Sequence, residues 1–242
     1  MKCDALLKNN RMKLILFDID GTLLDSGGAG GRALNAAFLE LFDFAVKTAA
    51  EPFAGISMGG KTDTEIIMEA LEKHGIEADG KMPLFMDSYI RHLKTYIDNP
   101  GGRLKPGVKG ALNALSLMEG AALGLLTGNI EEGARIKLEP FGLNGYFHLG
   151  AFGSDNADRN SLLPIAIGRF NKKQSSAVKL SAEDCIVVGD TPRDVECAKL
   201  HGAKSVAVAT GGYSSAQLLQ TEADHVLEDL GNTRFFLKCL GF

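Results

Sequence analysis

Asp18 and Asp20 stand two residues apart in Asp18-Ile19-Asp20-Gly21-Thr22, directly after the apolar run Leu14-Ile15-Leu16-Phe17. Three further apolar runs also end in polar groups. One delivers Thr127-Gly128-Asn129, one Gly153-Ser154-Asp155 with Arg159 just beyond, and one Gly189-Asp190-Thr191-Pro192-Arg193-Asp194. Carboxylates grouped in this way can attack an electrophile, exchange a proton or hold a cation. Hard oxygen donors without accompanying imidazoles or thiols suit Mg²⁺, which binds through one or two carboxylates plus substrate phosphate.

Each piece also has an ordinary structural meaning. Asp18 and Asp20 are good turn formers. Thr127 and Asn129 can cap helices. Thr191-Pro192-Arg193-Asp194 fits a helix start, with Thr191 as N-cap, Pro192 first and Asp194 closing a capping box. Arg159 alone reads as a solvated surface residue. A calcium loop needs an acidic or amide residue and then Gly at its fifth and sixth positions, where this chain has Thr22 and Leu23. The whole set, in this order and at matching run ends, is far more specific than any member.

The elements that must position these groups follow from the pattern. Lys13–Phe17, Ala121–Leu126, Phe147–Phe152, Cys185–Val188 and Ser205–Ala209 are too short for helices and read as strands buried on both faces. Helical patterns fall between the later runs, at 106–118, 131–141, 159–174 and 191–201. This alternation predicts βαβ units and an α/β sheet whose carboxyl rim gathers the polar groups. The stretch from about Asp25 to Arg103 breaks the alternation: 33–44, 64–74 and 81–96 look amphipathic and helical, and no clear β run appears. The fold class expected is therefore a Rossmann-like parallel-sheet core, residues 1–24 and 104–242, with an inserted all-helical cap, residues 25–103.

Composition sets limits. The 242 residues are 45% hydrophobic and 23% charged, which suits a folded domain and excludes collagen-like and disordered classes. Twenty-six basic against 30 acidic residues give −4, a poor balance for nucleic-acid binding. Cys3, Cys185, Cys197 and Cys239 form no C-x-x-C pair, which points away from zinc or redox chemistry and towards a reduced, cytoplasmic protein. Met1–Met12 lacks the apolar stretch of a signal peptide, and no run is long enough to span a bilayer. No membrane partner is expected; monomer and homodimer both remain open.

At the motif residues the chain resembles the haloacid dehalogenase superfamily of phosphotransferases. The resemblance rests on Asp18-Ile19-Asp20-Gly21-Thr22-Leu23, Leu125-Leu126-Thr127-Gly128-Asn129, and Gly189-Asp190 with Asp194, and it covers nearly the whole chain. The long gap between Asp18 and Thr127 is similar to that of the subgroup with a helical cap after the first motif, phosphoglycolate phosphatases in particular. The resemblance implies a Mg²⁺-dependent phosphatase of a small phosphorylated metabolite. Asp18 would be the nucleophile and Asp20 the acid and base. Asp18, the Asp20 carbonyl and Asp190 would hold the metal, with Asp194 behind them. Thr127 and Arg159 would hold phosphoryl oxygens, with Gly21, Thr22, Gly128 and Asn129 around the phosphate. The family's third motif usually supplies a Lys; here Arg159 is the best-placed cation, since Lys172 and Lys173 lie far along the next helix. Other chemistries of the superfamily remain open: phosphosugar mutase, pyrophosphatase and phosphonoacetaldehyde hydrolase. The last uses a cap lysine in a Met-Gly-x-x-Lys pattern that Met58-Gly59-Gly60-Lys61 misses by one residue.

Two other motifs compete. Gly55-Ile56-Ser57-Met58-Gly59-Gly60-Lys61-Thr62 matches the phosphate-cradling P-loop of nucleotide hydrolases and kinases, which requires a buried strand just before it. Lys47–Phe53 does not read as one. The resemblance implies instead that Lys61 belongs to a cap loop that closes over the leaving group and contacts a substrate anion. Gly28-Ala29-Gly30-Gly31-Arg32-Ala33 matches a dinucleotide fingerprint but lies too far beyond the first strand.

Overall fold

The computed structural model describes residues 12–42, 51–174 and 179–242. The five apolar runs form strands β1 (Lys13–Phe17), β4 (Ala121–Thr127), β5 (Gly150–Phe152), β6 (Cys185–Gly189) and β7 (Lys204–Val208). With β8 (His225–Leu227) they make one parallel sheet in the order β5-β4-β1-β6-β7-β8. The strand order reverses at β1, so the carboxyl ends of β1 and β6 flank the switch point at which open α/β sheets bind ligands.

Alternate residues of β1 serve opposite faces, as the strand period requires. Ile15 and Phe17 pack with α4 (Val108–Ser116), α5 (Glu131–Leu138) and α9 (Thr233–Cys239). Leu14 and Leu16 pack with α6 (Leu162–Lys173) and α7 (Pro192–Leu200). Cys185 and Cys197 are buried free thiols on that second face, and Cys239 is one on the first.

The inserted segment carries α1 (Ala29–Phe42), α2 (Asp63–Lys73) and α3 (Met82–Tyr96). These helices bury a core of their own, rich in aromatic residues: Phe38, Phe42, Phe53, Phe85 and Tyr89. The expectation that this stretch is free of strands needs correction. Its two ends form a short antiparallel ribbon, β2 (Leu24–Ser26) on β3 (Gly102–Leu104), crossed by an Arg103–Asp25 ion pair of 2.8 Å. Three residues per strand are too few for a period to show in the sequence. The same brevity hid β8, α9 and the four-residue α8 (Ser215–Leu218).

Other boundaries shift by a turn. Residues 139–141 and 159–161 are 3-10 turns flanking α5 and α6, and 147–149 precede β5 rather than belong to it. The expected end of the first cap helix at Phe44 lies outside the described residues, as do Cys3 and most of the Met1–Met12 stretch. The P-loop alternative is overturned where it can be seen. Residues 52–55 form a turn, 56–61 a loop, and α2 follows with Thr62 as N-cap. No strand of either sheet among the described residues leads into Gly55. The Gly28 fingerprint likewise follows β2 of the antiparallel ribbon, not a parallel strand. Among the described residues no helix is long and apolar enough to cross a membrane.

Candidate active site

Asp18 leaves the end of β1 with its N–H bonded to the Val188 carbonyl at 2.9 Å, which ties it to the neighbouring strand. The chain then turns back through Gly21, whose φ of +85° is open to glycine at little cost. A Cβ there would also collide with the Asp190 carboxylate. Thr22 donates its hydroxyl to Asp190 Oδ1 at 3.0 Å. Gly21 and Thr22, expected beside the phosphate, thus lie against the Asp190 carboxylate.

Asp194 satisfies both of its sequence readings at once. Oδ2 accepts from the Thr191 N–H (3.0 Å) and hydroxyl (2.7 Å), closing the capping box of α7. Oδ1 accepts from Arg159 Nη2. The same guanidinium nitrogen stands 3.2 Å from Asp18 Oδ1. Arg159 is therefore no surface residue: it is 3% exposed and lies between two carboxylates, while its Nε has no partner.

Asp18, Asp190 and Asp194 are all buried, with one ligand atom of each within 4.8 Å of the others. Burial, then the neighbouring carboxylates, push Asp18 and Asp190 above the usual carboxylate range, and Arg159 only partly offsets this. One guanidinium cannot neutralise three carboxylates. A hard divalent cation would, and this all-oxygen donor set suits one. Asp155, by contrast, turns away from the site and pairs with Arg169.

On the other side of Asp18, Asn129 Nδ2 donates to Asp20 Oδ2 at 2.8 Å and to Thr127 Oγ1 at 2.9 Å. A residue that the strand-end reading missed completes this network. Lys137 of α5 donates to Asp20 Oδ2 at 2.7 Å and to Asn129 Oδ1 at 2.6 Å. Burial works against its charge, but Asp20, Tyr89 and Asp63 together outweigh it and hold Lys137 firmly protonated. A signal was available: Lys137 lies on the stripe of α5 that carries Gly133, Ala134 and Leu138, all buried. A lysine on a core-facing stripe needs a partner.

The inserted segment docks on the rim through the start of α2. Asp63 at the start of α2 bonds Gly128 O through its N–H (2.7 Å) and accepts from Ile130 N through its carboxylate (2.9 Å). Thr62 and Thr64 donate to the carbonyls of Ala157 and Gly153, each at 2.7 Å. Gly128 is needed for this docking, since a Cβ there would collide with the Lys61 carbonyl. Between cap and rim lies a cavity of about 240 Å³, bordered by Asp18, Asp20, Asn129, Lys137, Lys61 and Tyr89 among others. Lys61 does border it, as expected of a cap-loop residue, but its ammonium is bound by Glu69 of α2. Burial pushes Asp63 up to about 6. The Tyr89 hydroxyl is buried without a partner.

A family model described as haloacid dehalogenase-like hydrolase matches residues 15–208. The chain belongs to the haloacid dehalogenase-like hydrolase family. Its curated relatives include a phosphoglycolate phosphatase of Rhodospirillum rubrum, 28% identical over 229 residues, which cover 91% of this chain and 88% of that one. A phosphoglycolate phosphatase of Aquifex aeolicus is 29% identical over 205 residues, covering 84% and 86%. Among solved structures, a predicted phosphoglycolate phosphatase from Haemophilus somnus superposes with a TM-score of 0.68 at 22% identity, covering 93% and 98% of the two chains. That last likeness speaks for the fold.

Proposed function

We propose that this phosphoric monoester hydrolase acts on a small phosphomonoester of the phosphoglycolate kind, with Mg²⁺, through an aspartyl-phosphate on Asp18. The observation that carries the reading is the cavity itself. Asp18 and Asp20 both border a half-open cavity of about 240 Å³, below the ~300–1,000 Å³ usual for drug-sized ligands. Such a space suits a phosphate with a few carbons rather than a nucleotide. The names of the curated relatives point the same way.

In this reading the Asp18 carboxylate attacks phosphorus and splits one difficult step into two. Asp20 protonates the leaving oxygen and then takes a proton from the attacking water. Thr127, Gly128 and Arg159 hold phosphoryl oxygens, and Arg159 also keeps Asp18 oriented through its contact at 3.2 Å. Asp18, the Asp20 carbonyl and Asp190 would hold Mg²⁺, which when bound offsets negative charge on the transferring group. Asp194 supports them through Arg159 and Thr191. Residues 25–103 act as the cap and the remainder as the catalytic core. A cytoplasmic setting agrees with three buried free thiols.

The test is phosphate release from phosphoglycolate, sugar phosphates, nucleoside monophosphates and pyrophosphate, with and without Mg²⁺. The expected result is Mg²⁺-dependent turnover strongest on the small monoesters. Preference for a nucleotide or pyrophosphate, or no release from any monoester, overturns the reading.

A further inference from the structure

Lys137 is chemically expensive where it stands. Its side chain is 6% exposed, on a helix that carries none of the sequence motifs. Its bonds explain the position. Lys137 Nζ and Asn129 Nδ2 both donate to one oxygen of Asp20, Oδ2, at 2.7 and 2.8 Å. Lys137 also grips Asn129 Oδ1, and Asn129 in turn holds Thr127 Oγ1. A carboxylate oxygen has two lone-pair positions, so Oδ2 is filled. Oδ1 takes no hydrogen bond from the described residues, although the Asp20 side chain is 41% exposed and borders the cavity.

The cap completes the arrangement. A Cβ on Gly30, at the start of α1, would come within 3.3 Å of Lys137 Nζ and 3.8 Å of the Tyr89 hydroxyl. Gly30 therefore lies close over the ammonium, and Lys137 is buried. A charge-assisted hydrogen bond screened from water in this way is short and directional.

We propose that Lys137 is a positioning residue for proton transfer: with Asn129 it pins Asp20 through Oδ2, so that Oδ1 is the oxygen that exchanges the proton. This rests on the acid and base role of Asp20 proposed above. In the first step the Oδ1–H bond breaks and a new O–H forms on the leaving alkoxide, as the ester P–O bond breaks and Asp18–P forms. In the second, water loses a proton to Oδ1 and its oxygen bonds to phosphorus. The Asp18–P bond breaks and inorganic phosphate leaves. Proton and phosphoryl group both balance, and no further reactant is needed.

The test compares Lys137→Met with wild type on three monoesters in Mg²⁺: 4-nitrophenyl phosphate, 2-hydroxyethyl phosphate and phosphoglycolate. The nitrophenolate leaves with little protonation; the two alkoxides need a proton. A general acid is worth roughly 10²–10⁴-fold, so mispositioning it should lower kcat on both alkyl esters at least ~10-fold more than on the aryl ester. KM should change little, and Lys137→Arg should restore part of the loss. A uniform loss on all three substrates overturns the proposal. So does a rise in KM confined to phosphoglycolate, which would make Lys137 a binder of the substrate carboxylate instead.

Asp20→Asn, run beside it, separates the two layers. If it shows the leaving-group dependence and Lys137→Met does not, only the positioning role falls. If Asp20→Asn loses equally on all three, the acid reading falls and this inference with it. Should Lys137→Met not fold, the double variant with Asp63→Asn removes a carboxylate left without its counter-charge. The same substrate ratio then decides.

Discussion

At the rim of the sheet, Asp18, Asp190, Asp194 and Arg159 meet in a space from which water is nearly excluded, and the carboxylates outnumber the cation. In the cap, Phe38, Phe42, Phe53 and Phe85 meet with ring centroids 5.1–6.4 Å apart and no charge among them. The rim is held by backbone: strand ends, a positive-φ glycine and a capping box fix each charged group. The cap is held by side-chain burial. Crowded carboxylates raise the energy of the folded chain, whereas buried rings lower it. Damage to the rim should therefore appear in turnover, and damage to the cap in stability.

The sharpest test of this division is Asp18→Asn. It keeps the volume and removes the nucleophile, so activity should fall by at least ~10⁴-fold with the melting temperature unchanged or raised. A variant that retains near-wild-type hydrolysis, deamidation excluded, would remove Asp18 from its role. Phe85→Ala is the counterpart in the cap. Truncating a fully buried ring should cost about 3–5 kcal/mol in denaturant unfolding. A loss under ~1 kcal/mol would mean that the cap core contributes little to stability.

Gly128→Ala attacks the seam between the two regions. The added methyl meets the Lys61 carbonyl, so the cap loop must lift. Misplacement by about 1 Å can cost ~10²-fold, and that loss should appear in turnover with only a modest drop in melting temperature. Wild-type kinetics would show that the seam yields freely.

Asp63→Asn carries a pH signature. In the folded chain burial lifts Asp63 to about 6 from the ordinary aspartate value of 3.8. Between those values the folded state binds more protons than the unfolded one, so this group's stabilisation is complete below about 4 and lost as pH rises through about 6. Relative to wild type, the Asn variant should therefore gain about 2 kcal/mol between pH 4 and pH 8. Parallel stability curves would refute it. Smallest of all should be Lys61→Ala, whose ammonium pairs with half-exposed Glu69: under ~10-fold in KM and less in kcat. A loss of several orders of magnitude would put Lys61 on the transferring phosphate.

Much of the rim was legible because strand ends announce themselves. A buried run stops at a polar residue, and parallel strands in one sheet leave their carboxyl ends on one edge. That logic located Asp18, Thr127, Arg159 and Asp190 without knowledge of the register. It could not reach Lys137, which enters from the last turn of α5, or Asp63, whose place in the first turn of α2 reads as an ordinary partner for the helix dipole. Tyr89 reads as one more residue of an apolar stripe. The sequence also could not tell whether Asp194 caps α7 or serves the site, and its two oxygens do both. In the cap, helical periodicity gave the three helices but not their docking, because Gly128 shows its purpose only when the Lys61 carbonyl is beside it, and Gly153 only beside the Gly128 carbonyl and the Thr62 side chain.

The buried thiols have a use in measurement. Burial raises Cys185 to about 12 and Cys197 to about 11, and shifts Cys239 upwards as well, so almost no thiolate is present at neutral pH. An alkylating reagent must wait for each segment to open. Cys185 and Cys197 report on the face covered by α6 and α7, and Cys239 on the face covered by α4 and α9. Mass-resolved labelling would time the two halves of the sheet separately, in an unmodified chain, and show whether they come apart together or in sequence.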